Sequence, residues 1–437
     1  MSAPDSAATT PVAKAAPATA PRTDDGDDRR WRDAIARVTS GGWTVALGAV
    51  VLAVLAGSVM IAATDPDVQD TSKYFFSRPG DMLQAIGSAV GGAYTALFRG
   101  AIYNYNADTF EQAIRPLTQS LTYSTPLILA GLGVAIGFRS GMFNIGGQGQ
   151  MLVSAAAAGW VGFGLDLPAG LHLLVALVAG VVAGALWAGI AGLLKATTGA
   201  HEVIVTIMLN YIAFYLISYM LATPGLLQAP GSANPKTPPM EATAILPRLF
   251  GKQFPVHLGF VLALVAVGVV WWLLNRSSVG FRFRIIGENP YAGRVAGVNV
   301  PRTIVVSMLV GGALIGVAGA TQVLGLSTTG FGSSIDAGVG FDAITVALLG
   351  SSQPVGVLFA SLLFGAFKAG GTTMQASEGI PIEIVLVVQS LIVLFIAAPP
   401  LVRAIFRLPQ PKRRVSARRA TPPAATPAAP TADGAAR

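Results

Sequence analysis

The sequence predicts an all-α, polytopic membrane protein, and three observations lead to that fold class. The 437 residues are 53% hydrophobic and only 11% charged, whereas a soluble domain carries about 25% charged residues. The mean hydropathy is +0.61. Apolar runs long enough to cross a bilayer, about 20 residues each, alternate with short polar loops along most of the chain. These features indicate an integral membrane protein.

Composition and motifs also exclude several functions. The chain has no cysteine, which excludes a disulfide scaffold, a thiolate metal site and a cysteine nucleophile. No G-x-x-x-x-G-K-[ST] motif is present, so this chain is not itself an ATPase. The three histidines do not pair into a metal site. We therefore expect no catalytic residues, no metal and no cofactor on this chain. The net charge of +8 lies in tails and short loops, which indicates membrane orientation rather than nucleic-acid binding.

The chain divides into three parts by composition. Residues 1–42 are rich in Ala, Pro, Thr and Asp, and predict a disordered cytoplasmic tail. Residues 43–405 form the transmembrane domain, and residues 406–437 a basic, Pro/Ala-rich cytoplasmic tail. Within the domain, residues 64–115 form an acidic extracytoplasmic insert. Its stretch 81–101 has helical apolar spacing without full hydrophobicity, which predicts a helix on the surface or packed against the bundle.

About ten apolar runs predict membrane spans. They are residues 43–63, 121–138, 142–163, 171–194, 203–221, 256–274, 303–324, 341–350, 355–371 and 382–399. Lys and Arg gather in the tails and in loop 275–302, whereas the Pro-rich loop 223–255 holds few of them. Because positive residues favour the cytoplasmic side, we expect both termini inside and loop 223–255 outside.

Five predicted spans precede loop 223–255 and five follow it, so the second half is predicted to be inverted relative to the first. Each half has a Gly-rich break, at residues 137–149 and 325–340. Breaks at matching places in two inverted halves indicate a binding site near the membrane midplane. The alternative is that these glycines only permit close helix packing, the role expected for Gly180, Gly184, Gly312 and Gly316.

The first break holds three amide side chains, Asn144, Gln148 and Gln150, among glycines. Amides at membrane depth need partners, and their donor–acceptor pairs suit the edge of a sugar or a nucleobase. Phe143 is placed to stack on a base. An alternative stays open: the amides instead bond the backbone groups that a broken helix leaves free.

Further candidates for the substrate pathway lie in span 203–221 and in the second break. Asn210 and Tyr211 stand near the middle of the span, where polar groups face protein rather than lipid. In the second break, Asp342 is expected to cap the helix that follows, with ligand contact as the alternative.

Loop 275–302 carries five arginines and one acid, Glu288. Asn289 is a suitable cap and Pro290 a suitable first residue for a short helix, which Gly297 ends. A short exposed helix between two spans is suited to binding a soluble partner. The alternative is that the loop is basic only to set orientation.

Four stretches resemble one known family. GENPYAGRVAGVNVPR, residues 287–302, resembles the cytoplasmic coupling segment of ABC-importer permeases of the branched-chain amino acid, ribose and nucleoside superfamily. GMFNIGGQGQ, residues 141–150, is similar to the family motif G-x-F-N-I-G-x-E-G-Q, with Gln148 in place of Glu. Residues 330–350 resemble the family's Gly-rich re-entrant region, and residues 199–216 resemble the nucleoside-type permeases more narrowly. The resemblance covers residues 43–405.

The resemblance implies a permease subunit of an ATP-driven importer in a bacterial plasma membrane, moving nucleosides by alternating access. It implies a second related permease as homo- or heterodimer, an ATP-binding subunit that holds ATP and Mg, and an extracellular substrate-binding lipoprotein. It assigns coupling to the ATPase to Arg284, Glu288, Asn289, Ala292 and Gly297; Gly293 stands where the family more often has Ala. The alternatives are import of a simple sugar and, less favoured, an ion-coupled secondary transporter. The latter needs intramembrane carboxylates or histidines, which the spans nearly lack.

Overall fold

The computed structural model describes residues 42–407. Within this range the chain is helical, and its sole β-type pairing is one isolated bridge between Arg248 and His257. The prediction of an all-α membrane protein is confirmed. The predicted disordered tails, residues 1–42 and 406–437, lie outside the described residues except at 42, 406 and 407. Residues Ala46–Pro399 form one compact unit, which holds every feature discussed below.

Fifteen α-helices follow one another along residues 42–407. They are α1 Gly42–Thr64, α2 Pro66–Ser72, α3 Pro79–Ala101, α4 Phe110–Arg139, α5 Gly147–Gly164, α6 Leu171–Thr198, α7 Glu202–Ala222, α8 Leu258–Arg276, α9 Ser278–Glu288, α10 Pro290–Val295, α11 Val300–Thr321, α12 Val339–Leu349, α13 Pro354–Glu378, α14 Ile382–Ala397 and α15 Pro399–Ile405. A π-helical turn, Gln322–Leu326, extends α11.

Six helices within residues 42–407 are long and apolar enough to cross a membrane: α4, α6, α7, α8, α11 with its π-helical turn, and α13. A seventh results if α1 and α2, bent by 72° at Asp65, are one span. The predicted number of ten is not confirmed by helix length and composition. Helices α12 and α14 have 11 and 16 residues, which at 1.5 Å per residue reach about 16 and 24 Å of the ~30 Å hydrocarbon core. Helix α5 is diluted by Gly and Gln.

The predicted helix at 81–101 is α3, and it packs against the bundle. Gly100 of α3 lies so close to Gly370 of α13 that an added Cβ would stand 3.1 Å from the Gly370 Cα. Tyr94 donates a hydrogen bond of 2.8 Å to the carbonyl of Val54 on α1. Of the two predicted positions for this helix, packing against the bundle is the observed one.

Small residues set the closest helix crossings. An added Cβ on Gly184 of α6 would lie 2.7 Å from the carbonyl oxygen of Gly312 on α11, and one on Gly316 would lie 2.7 Å from that of Gly180. The close-packing role predicted for these four glycines is confirmed. Because the two backbones meet directly, α6 and α11 form a rigid pair beside the broken helices.

The two helices that precede the breaks, α4 and α11, also cross, and they run antiparallel. Gly133 lies against Gly311, whereas Ser140, further along α4, bonds Ser307, further back along α11, at 3.0 Å. Helix α4 packs on α12 and α13, and α11 packs in the corresponding way on α5 and α6. This exchange of partners, with antiparallel α4 and α11, is the arrangement expected of two inverted halves.

Candidate functional site

The two Gly-rich breaks meet in the interior of the bundle. The first leaves residues 140–146 non-helical between α4 and α5, and the second leaves residues 327–338 non-helical before α12. An added Cβ on Gly147 would lie 2.7 Å from the carbonyl oxygen of Gly340. An added Cβ on Gly340 would likewise overlap the backbone nitrogen of Gln148. Only residues without a side chain allow this approach of two backbones.

Two of the predicted amides, Asn144 and Gln150, bond each other. Asn144 Oδ1 accepts hydrogen bonds from the Gly146 amide at 2.9 Å and from Gln150 Nε2 at 3.0 Å. Each residue is 1% exposed. This bonding is the one expected from the alternative interpretation, in which amides satisfy the backbone of a broken helix.

Asn210 of α7 closes the same break from the other side. Its Oδ1 accepts from the Gly149 amide at 2.8 Å, and its Nδ2 donates to the Ile145 carbonyl at 2.9 Å. Thr206, one turn earlier, accepts a hydrogen bond from the Ile145 amide at 3.3 Å. Asn210 is 5% exposed, as expected for a mid-span amide facing protein. Helix α7 therefore fixes the start of α5.

Gln148 is the amide that remains turned to the second break. It is half-buried and its side chain approaches the carboxylate of Asp336. Asp336 is 4% exposed, and within the described residues its Oδ2 has no hydrogen-bond partner. The family's Glu at position 148 would bring a second carboxylate to this place, so the Gln in this chain avoids repulsion with Asp336.

A lysine completes a charged cluster around the second break. Lys368 of α13 donates a hydrogen bond of 2.8 Å to the carbonyl of Ala337, and the charges of Asp336 and Asp342 act on it. Its ammonium lies 5.9 Å from the ring centre of Tyr123. Sequence reasoning missed Lys368, although a single lysine inside the predicted span 355–371 was a readable signal.

The expected role of Asp342 as a helix cap is wrong. Helix α12 begins at Val339, and its N-cap is Gly338, whose φ of 81° suits glycine. Asp342 lies within the first turn instead. There its negative charge still favours the positive end of the helix dipole, and it faces the charge of Lys368.

A cavity of about 450 Å³ opens beside the meeting point of the breaks. This volume falls in the range of about 300–1,000 Å³ typical of small-molecule sites. Its lining residues are Ile145, Gln148, Ile207, Asn210, Tyr211, Phe214, Tyr215 and Phe341. Three predicted residues, Gln148, Asn210 and Tyr211, thus share one cavity. Tyr211 is 58% exposed in this single chain, so its ring borders the cavity and is not buried among the chain's own helices.

Phe143 lies away from that cavity. Its ring stacks on Phe138, with ring centres 4.9 Å apart and an angle of 27° between the planes. Asn144 and Gln150 do not line the cavity either. The predicted set therefore divides into residues that surround the cavity and residues that hold the broken helix.

The basic loop forms two short helices, α9 and α10. Asn289 caps α10 as predicted: its Oδ1 accepts from the amides of Tyr291 at 2.9 Å and Ala292 at 3.2 Å, and Pro290 begins the helix. Gly297 follows with a φ of 77°. Arg284 donates to the carbonyl of Leu274 at the end of α8 and so ties the loop to that helix.

One face of α10 is exposed to solvent. Tyr291 and Val295, four residues apart, are 75% and 92% exposed, and Glu288 and Ala292 are exposed beside them. The loop also touches the first break, because an added Cβ on Gly287 would lie 3.0 Å from the amide nitrogen of Gly141. The basic loop therefore adjoins the broken helix.

In a polytopic membrane protein, irregular backbone is tolerated only where it is buried in protein or lines a polar cavity. Broken helices that meet beside such a cavity are characteristic of membrane transport subunits. Comparison with known sequences defines the class further. Residues 117–397 match the family described as branched-chain amino acid transport system, permease component. The chain belongs to this family, which confirms the resemblance seen in its motifs.

The chain is similar to several curated permeases. It is 40% identical over 326 residues to the guanosine ABC transporter permease protein of Bacillus subtilis, covering 73% of this chain and 89% of that protein. It is 35% identical over 289 residues to a glucose ABC transporter permease protein of Haloferax volcanii, covering 64% and 75%. It is 33% identical over 307 residues to a nucleoside ABC transporter permease protein of Lactococcus lactis, covering 68% and 83%. No solved structure matches the chain significantly.

Proposed function

We propose that this chain is the membrane-spanning permease of an ATP-driven importer and that its substrates are nucleosides. The observation that carries the proposal is the 40% identity to the guanosine permease over 89% of that protein's length. A second nucleoside permease is similar over 83% of its length. The cavity beside the breaks, with aromatic rings and the amide of Gln148 on its wall, has the chemistry that a nucleobase needs.

The proposal includes partners. Bacillus subtilis and Lactococcus lactis each hold a second similar permease, 28% and 29% identical to this chain. We therefore expect a second, non-identical permease beside this one. An ATP-binding subunit holding ATP and Mg, and an extracellular substrate-binding lipoprotein, complete the importer. The location is the plasma membrane of a bacterium.

The contacts suggest how ATP hydrolysis on the partner reaches the substrate. The ATPase holds α10 by its exposed face around Tyr291 and Ala292. Movement of the loop passes through the contact of Gly287 with Gly141 into the first break, and through the contact of Gly147 with Gly340 into the second. Gln148 and Phe341, which line the cavity, lie in the first turns of α5 and α12, the helices that follow these breaks. Closure of the ATPase can thus change access to the cavity.

Ten crossings with both termini in the cytoplasm remain part of the proposal. Helices α12 and α14 are too short to cross alone, but the non-helical residues next to them lengthen the path. Such backbone is tolerated at membrane depth because it is buried against other helices.

A simple sugar is the second candidate substrate. The glucose permease supports it, with lower identity and lower coverage than the guanosine permease. The family is a transport-system permease component and the relatives are ABC transporter permeases, which disfavours ion-coupled transport.

Uptake of radiolabelled guanosine by the assembled importer in proteoliposomes tests the substrate. We expect uptake that needs ATP, and competition by unlabelled nucleosides at much lower concentrations than by ribose or glucose. Efficient competition by glucose alone would replace the nucleoside with a sugar.

The coupling role of α10 gives a direct prediction. Ala292→Asp places a carboxylate on the face that the ATPase holds, where it has no partner and must be desolvated. We expect uptake to fall at least about tenfold while ATP hydrolysis continues, since loss of ~1.4 kcal/mol of coupling corresponds to a factor of ten. Ala233→Asp in loop 223–257, equally exposed, is the control. Full uptake by Ala292→Asp would contradict the coupling role.

A further inference from the structure

Three tyrosines form a stripe on α7. Tyr211, Tyr215 and Tyr219 are four residues apart, so they lie on one side of the helix, about 6 Å from one ring to the next along its axis. Their exposed fractions are 58%, 67% and 64%. Within the described residues no hydrogen bond involves a phenol oxygen of these three, whereas the tyrosine on α3 that packs inside the bundle does find a carbonyl partner.

Contact with lipid does not explain the stripe. A phenol in the hydrocarbon core loses its hydrogen bonds with water, and tyrosines facing lipid therefore gather at the two membrane interfaces. An interfacial position suits Tyr219, near the end of α7 at Ala222. It does not suit Tyr211, which stands at the middle of the 21-residue helix. Contact with acyl chains therefore does not account for Tyr211, at the inner end of the stripe.

The stripe begins in one cavity and ends, along the chain, shortly before a second; Tyr219 itself lines neither. Tyr211 and Tyr215 belong to the wall of the 450 Å³ cavity beside the breaks, together with Phe214, Phe341 and Gln148. A second cavity of about 630 Å³ begins five residues beyond Tyr219, where Pro224, Gln228 and Ser232 form part of its wall. Aromatic rings thus run from the mid-span cavity to the loop at the end of α7.

We propose that Tyr211, Tyr215 and Tyr219 form an aromatic path on which the base of a nucleoside stacks as it passes between the two cavities, and that this path selects nucleosides over sugars. The inference rests on the proposed function. Every nucleobase has a flat face that stacks on an aromatic ring, so such a path accepts purines and pyrimidines alike. A simple sugar has no π face, and the amides of Gln148 in the inner cavity and Gln228 in the second cavity supply hydrogen-bonding edges.

The test uses the complete importer in proteoliposomes with radiolabelled guanosine. Tyr215→Leu and Tyr219→Leu remove a ring and keep an apolar side chain. We expect each to raise the apparent uptake constant about five- to thirty-fold, the size of losing one base–aromatic contact. Tyr215→Phe keeps the ring and should recover most of that affinity. The inhibition constant of ribose should be unchanged, so the ratio of that constant to the uptake constant of guanosine should fall by the same factor. Trp272→Leu, which removes a 56% exposed ring from α8, is the matched control and should leave the constant unchanged.

The possible outcomes separate the two proposals. If the parent complex does not import guanosine, the proposed function fails. If it does, and the leucine variants have an unchanged uptake constant at normal protein level, the aromatic path fails alone. A lower amount of assembled complex with an unchanged constant would also overturn the path, and would assign the stripe to packing against the second permease.

Discussion

At the scale of single residues, the first break shows how a buried amide is assigned a role by its partners. Asn144, Gln150 and Asn210 have their donors and acceptors engaged by each other or by backbone that the break leaves free. Gln148 has no such bond to the first break and turns to Asp336 and the cavity. Four amides close together in the fold thus divide into three that hold the break and one that remains available to a ligand.

Asn144→Ala should therefore reduce the amount of folded protein and leave the uptake constant alone. The change leaves the Gly146 amide and Gln150 Nε2 buried without an acceptor, at about 1–3 kcal/mol for each group. Membrane level and concentration-dependent uptake are measured together. A raised uptake constant at normal protein level would return Asn144 to the ligand site.

His257 makes folding sensitive to acid. It precedes α8, is 2% exposed, and its Nδ1 accepts a hydrogen bond from the Gly259 amide at 3.1 Å. Burial, together with the positive charge of Arg248, lowers the pKa of His257 to about 4 from its ordinary 6.5. Because the unfolded chain takes up this proton first, the stability that is fully present above pH 6.5 is lost as the pH falls towards 4. The loss is about 3 kcal/mol at its limit.

His257→Asn should flatten this dependence, since an Asn oxygen can accept the same amide hydrogen but does not titrate. The thermal midpoint of the purified protein, followed from pH 7.5 to 4.5, measures it. His201→Asn, at the exposed N-cap position of α7, is the control and should leave the slope as it is. An unchanged slope in His257→Asn would assign the acid sensitivity to other groups.

Residue contacts were the least predictable part of the site. Gln148 and Asp336 are 188 positions apart in the sequence, and no periodicity predicts that they approach each other. The pairing of Lys368 with the Ala337 carbonyl likewise depends on where α13 lies. Hydrophobic pattern indicates which segments are helices in the membrane, but the partner of a buried polar group is decided by tertiary packing.

At the scale of elements, the sequence predicted more. The two breaks, the cap at Asn289 and the helix in the acidic insert follow from local chemistry: Gly where backbone must approach backbone, Asn and Pro at a helix start, and apolar spacing. The bounds of α12 and α14, Val339–Leu349 and Ile382–Ala397, also lie within two residues of the predicted runs 341–350 and 382–399. The interpretation of these two runs as complete spans did not follow from the pattern, because helices of this length are shorter than the hydrocarbon core.

Helix α10 offers a matched pair of glycine substitutions with opposite effects. Gly293 stands in the helix interior, and an added Cβ would lie 3.3 Å from Ile286 Cγ2, which can yield slightly. Gly293→Ala, the residue more usual in the family, should therefore stabilise the helix by about 0.5–1 kcal/mol. Gly297 has a φ of 77°, so Gly297→Ala should destabilise the turn by about 1–2 kcal/mol.

Hydrogen exchange of the amides in residues 289–298 measures both changes. Slower exchange is expected in Gly293→Ala and faster exchange in Gly297→Ala, with the amides of α6 as an internal control. Unchanged or faster exchange in Gly293→Ala would mean that the side chain of Ile286 does not move to admit the added methyl group.

At the scale of the whole molecule, the antiparallel crossing of α4 and α11 gives the fold its two-fold character, and the breaks that follow these helices meet where Gly147 touches Gly340. Loop 275–302 joins this arrangement at one end, through Gly287 and Gly141. Loop 223–257 follows the C-terminal end of α7. The N-terminal end of α7 lies beside α6, because Glu202 of α7 pairs with Lys195 of α6 at 2.9 Å. These positions require loop 275–302 and loop 223–257 to lie on opposite sides of the membrane if α8 crosses it once.

The sides can be assigned with two cysteines, since the chain has none of its own. Ala233 and Ser278 are both exposed and lie on either side of α8. The excess of arginine in loop 275–302 places Ser278 in the cytoplasm. Ala233→Cys should therefore react with a membrane-impermeant maleimide in intact cells, and Ser278→Cys only after the membrane is opened. The 19 residues of α8 reach about 28 Å, close to the thickness of the hydrocarbon core, so a crossing α8 places the two sites on opposite sides. Labelling of both sites in intact cells would therefore mean that α8 does not cross the membrane.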